Sequence, residues 1–286
     1  MPHKIGFVTN SGGKLAHQNM LQVVKEFAEA NGWTVLRFSD TGAQHELILK
    51  APGLSGTEEI FIGLRTYDNA SADYFNLTAA GFTGYVPGNT FAAQPGVLMR
   101  GVPAHNLRID YWLTLNGQRL VLAMKVGTPV YESLYLGKIL PYARPSQFPY
   151  PVLVGGMLLD ESAIRFSEAT HRCWVKGATW SPAYDCARLR FNDGQWLQTD
   201  AYPYGNSGIA NTTYALRDTD GVWPVTPVVL HNATSGMFGE LDGVFHITGF
   251  NNTVENTFVL DGQTHVVMQD VWRTGFNDYY AIRMDA

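Results

Sequence analysis

Between residues 14 and 31, Ala16, Met20, Val23, Val24, Phe27 and Ala28 fall on one stripe at helical spacing. Gln18, Gln22, Lys25, Glu26 and Glu29 lie largely opposite, and Asn31-Gly32 supplies a left-handed stop. The period then shortens toward two. Residues 33–38, 46–50 and 59–64 read as strands, and Gly42, Pro52, Gly53, Gly56 and Asn69 mark turns between or after them. This pattern predicts a helix packed on a small antiparallel sheet over residues 1–95.

The clearest hairpin is RIDYWLTLNGQRLVLAMKV, over residues 108–126. Asn116-Gly117 is a strong two-residue turn signal, expected to place both residues at positive φ. Ile109, Tyr111, Leu113 and Leu115 share one face of the first strand; Leu120, Leu122 and Met124 share one face of the second. Asp261-Gly262 marks another hairpin, between residues 258–260 and 265–267. No helical pattern of similar quality follows residue 31. These readings give an α+β chain in three parts: an α+β domain over 1–95, a β-hairpin and connector over 96–151, and a β-rich domain over 152–286.

The connector is LPYARPSQFPYP, residues 140–151, with Pro141, Pro145, Pro149 and Pro151 and the rings of Tyr142, Phe148 and Tyr150. Each proline fixes φ and removes a donor, so neither a helix nor a central strand can run through it. Stiff chain loses less entropy on ordering than a glycine-rich linker, and large amphipathic rings are enriched in interface cores. Tyr142, Phe148 and Tyr150 are therefore the candidate interface residues.

Composition narrows the chemistry. Charged residues make up 16% of the 286 positions and aromatics 13%, a profile of strand-rich proteins and of chains that hide surface in assemblies. A net charge of −5 argues against nucleic-acid binding through a basic face. No run of 18 apolar residues predicts a membrane helix. The start, MPHKIGFVTNSGG, lacks an apolar stretch of signal-peptide length, from which we expect assembly in a reducing cytoplasm and reduced thiols at Cys173 and Cys186. Two cysteines also exclude a cysteine-rich zinc site.

Motif searches single out no catalytic, cofactor-binding or metal-ligating residue. GFVTNSGGKLAHQNML has Val8 where a phosphate loop needs its first glycine and Leu15 where it needs a magnesium-binding hydroxyl. RDTDGVW, around Asp218 and Asp220, has Val222 in place of the third calcium ligand. His171, His231, His246 and His265 form no pair at ligand spacing. No carboxylate pair stands out for glycoside hydrolysis, and Asn76-Leu-Thr is a glycosylation signal only in a secreted chain. The expectation is a protein without enzymatic activity or cofactor.

The run IDYWLTLNGQRLVLAMKVGTPVYESLYLGKILPYARPSQFPYPVLVGG, over residues 109–156, resembles a segment of virion structural proteins of tailed bacteriophages. NGWTVLRF, ELILKAPGLSGTEEIFIGLRTY, GFTGYVPG and GELDGVFHITGFNN are also similar to it, so the resemblance spans most of the chain. YESLYLGKILPYARPSQFPYP is its most specific element. The resemblance implies a structural component of a phage tail, at or near the baseplate, assembled in multiple copies in the host cytoplasm. Its implied partners are copies of itself and other tail proteins. Alternatives are a neck or tail-terminator component, or a tail-associated module that binds or cleaves glycans.

Overall fold

The computed structural model describes residues 3–142, 152–168, 174–176, 187–190, 194–204, 223–269, 271, 276 and 279–284. The first strand is β1 (His3–Thr9), followed by the helix α1 (Ala16–Ala30) and then β2 (Thr34–Ser39), β3 (Glu46–Ala51), β4 (Ile60–Asn69), β5 (Tyr74–Phe82) and β6 (Leu98–Val102). The middle of the chain forms β7 (Arg108–Leu115), β8 (Arg119–Gly127), β9 (Val130–Lys138), β10 (Leu140–Pro141), β11 (Val152–Gly155) and β12 (Leu158–Leu159). The remainder gives β13 (Ala187–Arg190), β14 (Trp196–Gln198), β15 (Asp200–Tyr202), β16 (Val225–Asn232), β17 (Gly236–Ile247), β18 (Thr257–Leu260), β19 (Gln263–Gln269) and β20 (Tyr279–Met284).

Among the described residues, strand accounts for 55% and helix for 9%. The α+β expectation is therefore corrected to a β-rich fold of three sheets, with α1 the one α-helix among the described residues. The reason is the sequence before α1. Residues 3–9 form a strand that pairs with β7, so the helix fills a gap between sheets instead of defining a layer.

The central sheet runs β1-β7-β8-β9-β11-β13-β14. One of its faces packs on the sheet β12-β6-β5-β4-β3-β2, with α1 wedged between them near β1 and β7. Met20, Leu21, Val24 and Ala28 of α1, Leu47, Leu49, Ile62 and Leu77 of one sheet, and Ile109, Leu113, Leu120 and Leu122 of the other share one buried core. Alternation along β7 and β8 sends this apolar set to one face, as their sequence pattern requires. The opposite face packs on the sheet β15-β16-β17-β20-β19-β18. There Tyr135, Trp174 and Tyr280 cluster, and Trp174 Nε1 and the Tyr280 hydroxyl donate to Ser133 Oγ at 2.9 and 2.8 Å.

The two glycine turns differ. Asp261 and Gly262 adopt φ of 49° and 74°, the mirror-image turn expected of that dipeptide. The 108–126 hairpin also forms, but neither Asn116 nor Gly117 has positive φ. Pairing continues through Asn116, whose N–H donates to the Arg119 carbonyl at 3.1 Å, so the loop residues are Gly117 and Gln118. Asn116 Oδ1 accepts from the N–H groups of Gln118 and Arg119, an Asx arrangement that stabilises the turn without left-handed backbone. Glycine is needed at 117 for space: a Cβ there would lie 2.6 Å from the Gly53 carbonyl oxygen.

Candidate functional site

Where the connector begins, the chain leaves the central sheet at the end of β9 and enters another. Leu140 pairs with Glu240 and Pro141 with Gly239 of β17. Gly239 is dictated by this approach, because any Cβ would overlap the Leu140 carbonyl. The Tyr142 N–H then donates to the Phe238 carbonyl at 2.9 Å, and its hydroxyl donates to Glu240 Oε1 at 2.6 Å. Desolvation, followed by the hydrogen bond to Glu240, pushes the Tyr142 hydroxyl up to about 12. Its ring remains 54% exposed. Phe148 and Tyr150 lie outside the described residues, as do Cys173, Cys186, His171 and the Asp218 turn.

Cross-strand register places Tyr142 beside an outward row. Tyr202 of β15 pairs with Val229 of β16, which pairs with Glu240, which pairs with Leu140. Paired residues share a face. Tyr202 and Leu140 are exposed, and Met237, two residues before Gly239, is 70% exposed. Glu240 lies within the strip and holds the tyrosine hydroxyl, and the row of Met237 continues through His231 and Asp200. Contact sites on proteins characteristically expose apolar area of this kind.

The charged groups nearby serve cohesion between sheets. Asp242 of β17 is buried; it accepts from Asn116 Nδ2 at 2.6 Å, Gln118 Nε2 at 2.9 Å and Arg283 Nη2 at 2.9 Å. Arg119, fully buried, lies 3.8 Å from it through Nε. Burial alone would lift the Asp242 carboxyl; Arg119, the two amides and Arg283 together hold it below its ordinary value. This hub fastens the β7–β8 turn to the β17 sheet. No spacing rule in the sequence joins Asp242 to Arg119, because more than a hundred residues separate the two along the chain.

The remaining sequence candidates have structural partners. Lys14 of the glycine-rich turn pairs with Asp40, and Gln18 Oε1 accepts from the Leu15 N–H at the start of α1. Asn76 is buried and donates to the Ile164 carbonyl at 2.9 Å. His265 stacks on Phe258 at 5.1 Å. His246 is buried beside Tyr204, and desolvation depresses its imidazole to about 4. Among the described residues, no group of three His, Cys, Asp or Glu side chains is arranged to hold a metal. Nor is any helix among them long and apolar enough to cross a membrane.

A second exposed apolar pair was not legible in the sequence. Ile5 and Phe7 of β1 are 56% and 58% exposed. They border a groove of about 350 Å³ with Asp110, Trp112, Lys125 and Glu255. The alternation in HKIGFVT was the available signal, but it would place these two largest side chains toward a core. No protein-family model matches the chain, and no curated protein matches its sequence.

Proposed function

We propose that this chain is a structural component of a bacteriophage tail, positioned at or near the baseplate and present in several copies that hold neighbouring tail proteins. The observation that carries the reading is the exposed strip of Leu140, Tyr142, Tyr202 and Met237 at the start of the connector. Leu140 and Tyr142 lie within the sequence run that resembles tail proteins. A strip fixed by β10–β17 pairing presents its rings with little entropy left to lose on docking. The charges beside it are spent within the chain, on Glu240–Tyr142 and Asp242–Arg283, so docking there buries apolar surface at small electrostatic cost.

The test compares assembly with folding. Tyr142→Ala combined with Phe148→Ala should lower the fraction of chain recovered in assembled tails while leaving the melting temperature of the free protein nearly unchanged. Undiminished incorporation would overturn the contact role of this strip. Cleavage of cell-surface glycan by the purified protein, abolished by one Asp→Ala or Glu→Ala change, would replace the structural reading with an enzymatic one.

A further inference from the structure

β1 is an edge strand of unusual openness. Each sheet path has two ends, and the other five among the described strands, like the branching β10 of 2 residues, are short or irregular. β12 has 2 residues, β14 and β15 have 3 each, and β18 has 4. β2 has 6 but carries a register shift between Val35 and Arg37. Short length and bulges are the usual protections against edge-to-edge pairing. β1 has 7 residues, pairs with β7 in unbroken register, and contains neither proline nor bulge.

The register fixes which backbone groups face outward. Asn10 N–H donates to the Leu107 carbonyl, so Val8, Gly6 and Lys4 occupy the hydrogen-bonded pairs with β7. Thr9, Phe7 and Ile5 therefore turn their N–H and C=O groups away from β7. Asn19 Nδ2 confirms this at one end by donating to the Thr9 carbonyl at 2.8 Å. Asn19 thus covers Thr9, while Ile5 and Phe7 combine exposed side chains with outward backbone groups.

We infer that β1 pairs antiparallel with β1 of a second copy across a two-fold axis at Gly6, joining two seven-stranded sheets edge to edge. In that register Ile5 of one copy faces Phe7 of the other, and both pairs exchange their outward hydrogen bonds. The side chains continue a cross-strand row: Ile5 is paired with Trp112 and Phe7 with Asp110. Trp112, Ile5 and the second copy's Phe7 become one apolar seam, repeated by symmetry.

Charge also permits a self-partner. Beside the seam Arg108 pairs with Asp110 at 2.6 Å and lies over the Phe7 ring at 4.3 Å. Lys125 pairs with Glu255 at 2.7 Å. Each copy thus brings balanced pairs to the axis. Lys4 faces the opposite side, across from the second copy's Val8, and the two lysines stand roughly 14 Å apart, beyond the screening length in physiological salt. The glycine at the axis keeps that opposite side low, and its own Cβ would lie 2.8 Å from the Tyr111 hydroxyl. The inference rests on the edge geometry and is independent of a role in a tail.

Sedimentation of the full chain should give twice the 31.6 kDa chain mass, dissociating on dilution. Ile5→Lys with Phe7→Lys should raise the dissociation constant about tenfold or more. Both side chains are more than half exposed, so the melting temperature of the monomer should not move. Single variants Ile5→Cys and Phe7→Cys, mixed and mildly oxidised, should cross-link to each other far faster than either does alone, with the wild-type chain as control for Cys173 and Cys186. A single-chain mass up to about 100 μM would overturn the inference. So would an assembly of any size that the lysine pair leaves intact, or cross-linking no faster in the mixture than in each variant alone.

Discussion

Asp261-Gly262 and Asn116-Gly117 sit at the tips of two hairpins and are almost the same dipeptide, yet the chain bends differently at each. At the first, both residues take left-handed backbone, and a Cβ on Gly262 would meet nothing within 4 Å. At the second, the tip is wedged between the Gly53 carbonyl and the Asp242 carboxylate, and the loop shifts by one residue to Gly117-Gln118. An unpressed turn follows its local preference. A turn that must deliver Asn116 and Gln118 side chains to a buried carboxylate follows the contact instead.

The strongest way to break this comparison is to remove the carboxylate. Asp242→Ala should destabilise by about 3–5 kcal/mol in urea unfolding, because Asn116, Gln118 and Arg283 would lose their common acceptor and the buried Arg119 a neighbouring carboxylate. A loss below about 1 kcal/mol would mean that the hub does not hold the turn. Asp242→Asn addresses the same group through pH. Its folded-state carboxyl is depressed, so its stabilisation is present above the unfolded value and lost as pH falls through the folded one. The asparagine variant should lose less stability than wild type between pH 5 and strong acid, read as melting temperature against pH; parallel curves would contradict the assignment.

Gly117→Ala comes next in size, at about 1–3 kcal/mol, since the new methyl group overlaps backbone that cannot rotate away. Gly262→Ala should cost about 1 kcal/mol, entirely from its left-handed φ. Replacing Gly262 with D-alanine in a semisynthetic chain isolates the backbone cause: a D-residue accepts left-handed φ, so position 262 should tolerate or gain from it.

Much of the fold was legible because it rests on periodicity. The α1 stripe, β2 to β4 and both hairpins come from side-chain spacing and local turn residues, and their boundaries shift by only a residue or two at most ends. β1 was not legible as a sheet member, since its partner β7 lies about a hundred residues away and its large side chains face outward. The Asp242 hub was hidden for the same reason: each of its members looks like a surface residue in local sequence. Of the connector rings, sequence singled out Tyr142 as an interface candidate but could not show that its hydroxyl is tied to Glu240.

β10 has a mechanical consequence. Lys138 and Val152 are paired neighbours at the ends of β9 and β11. A force pulling on the segment between them would open those strands like a zipper, one pair at a time, the direction in which a sheet resists least. β10 alters the load path. By gripping β17 before the segment begins, it diverts tension into a 12-residue strand held by β16 and β20 as well. A pull would then have to shear the Tyr142–Phe238 and Leu140–Glu240 contacts before peeling could start, so a partner docked on the connector would tug on two sheets at once.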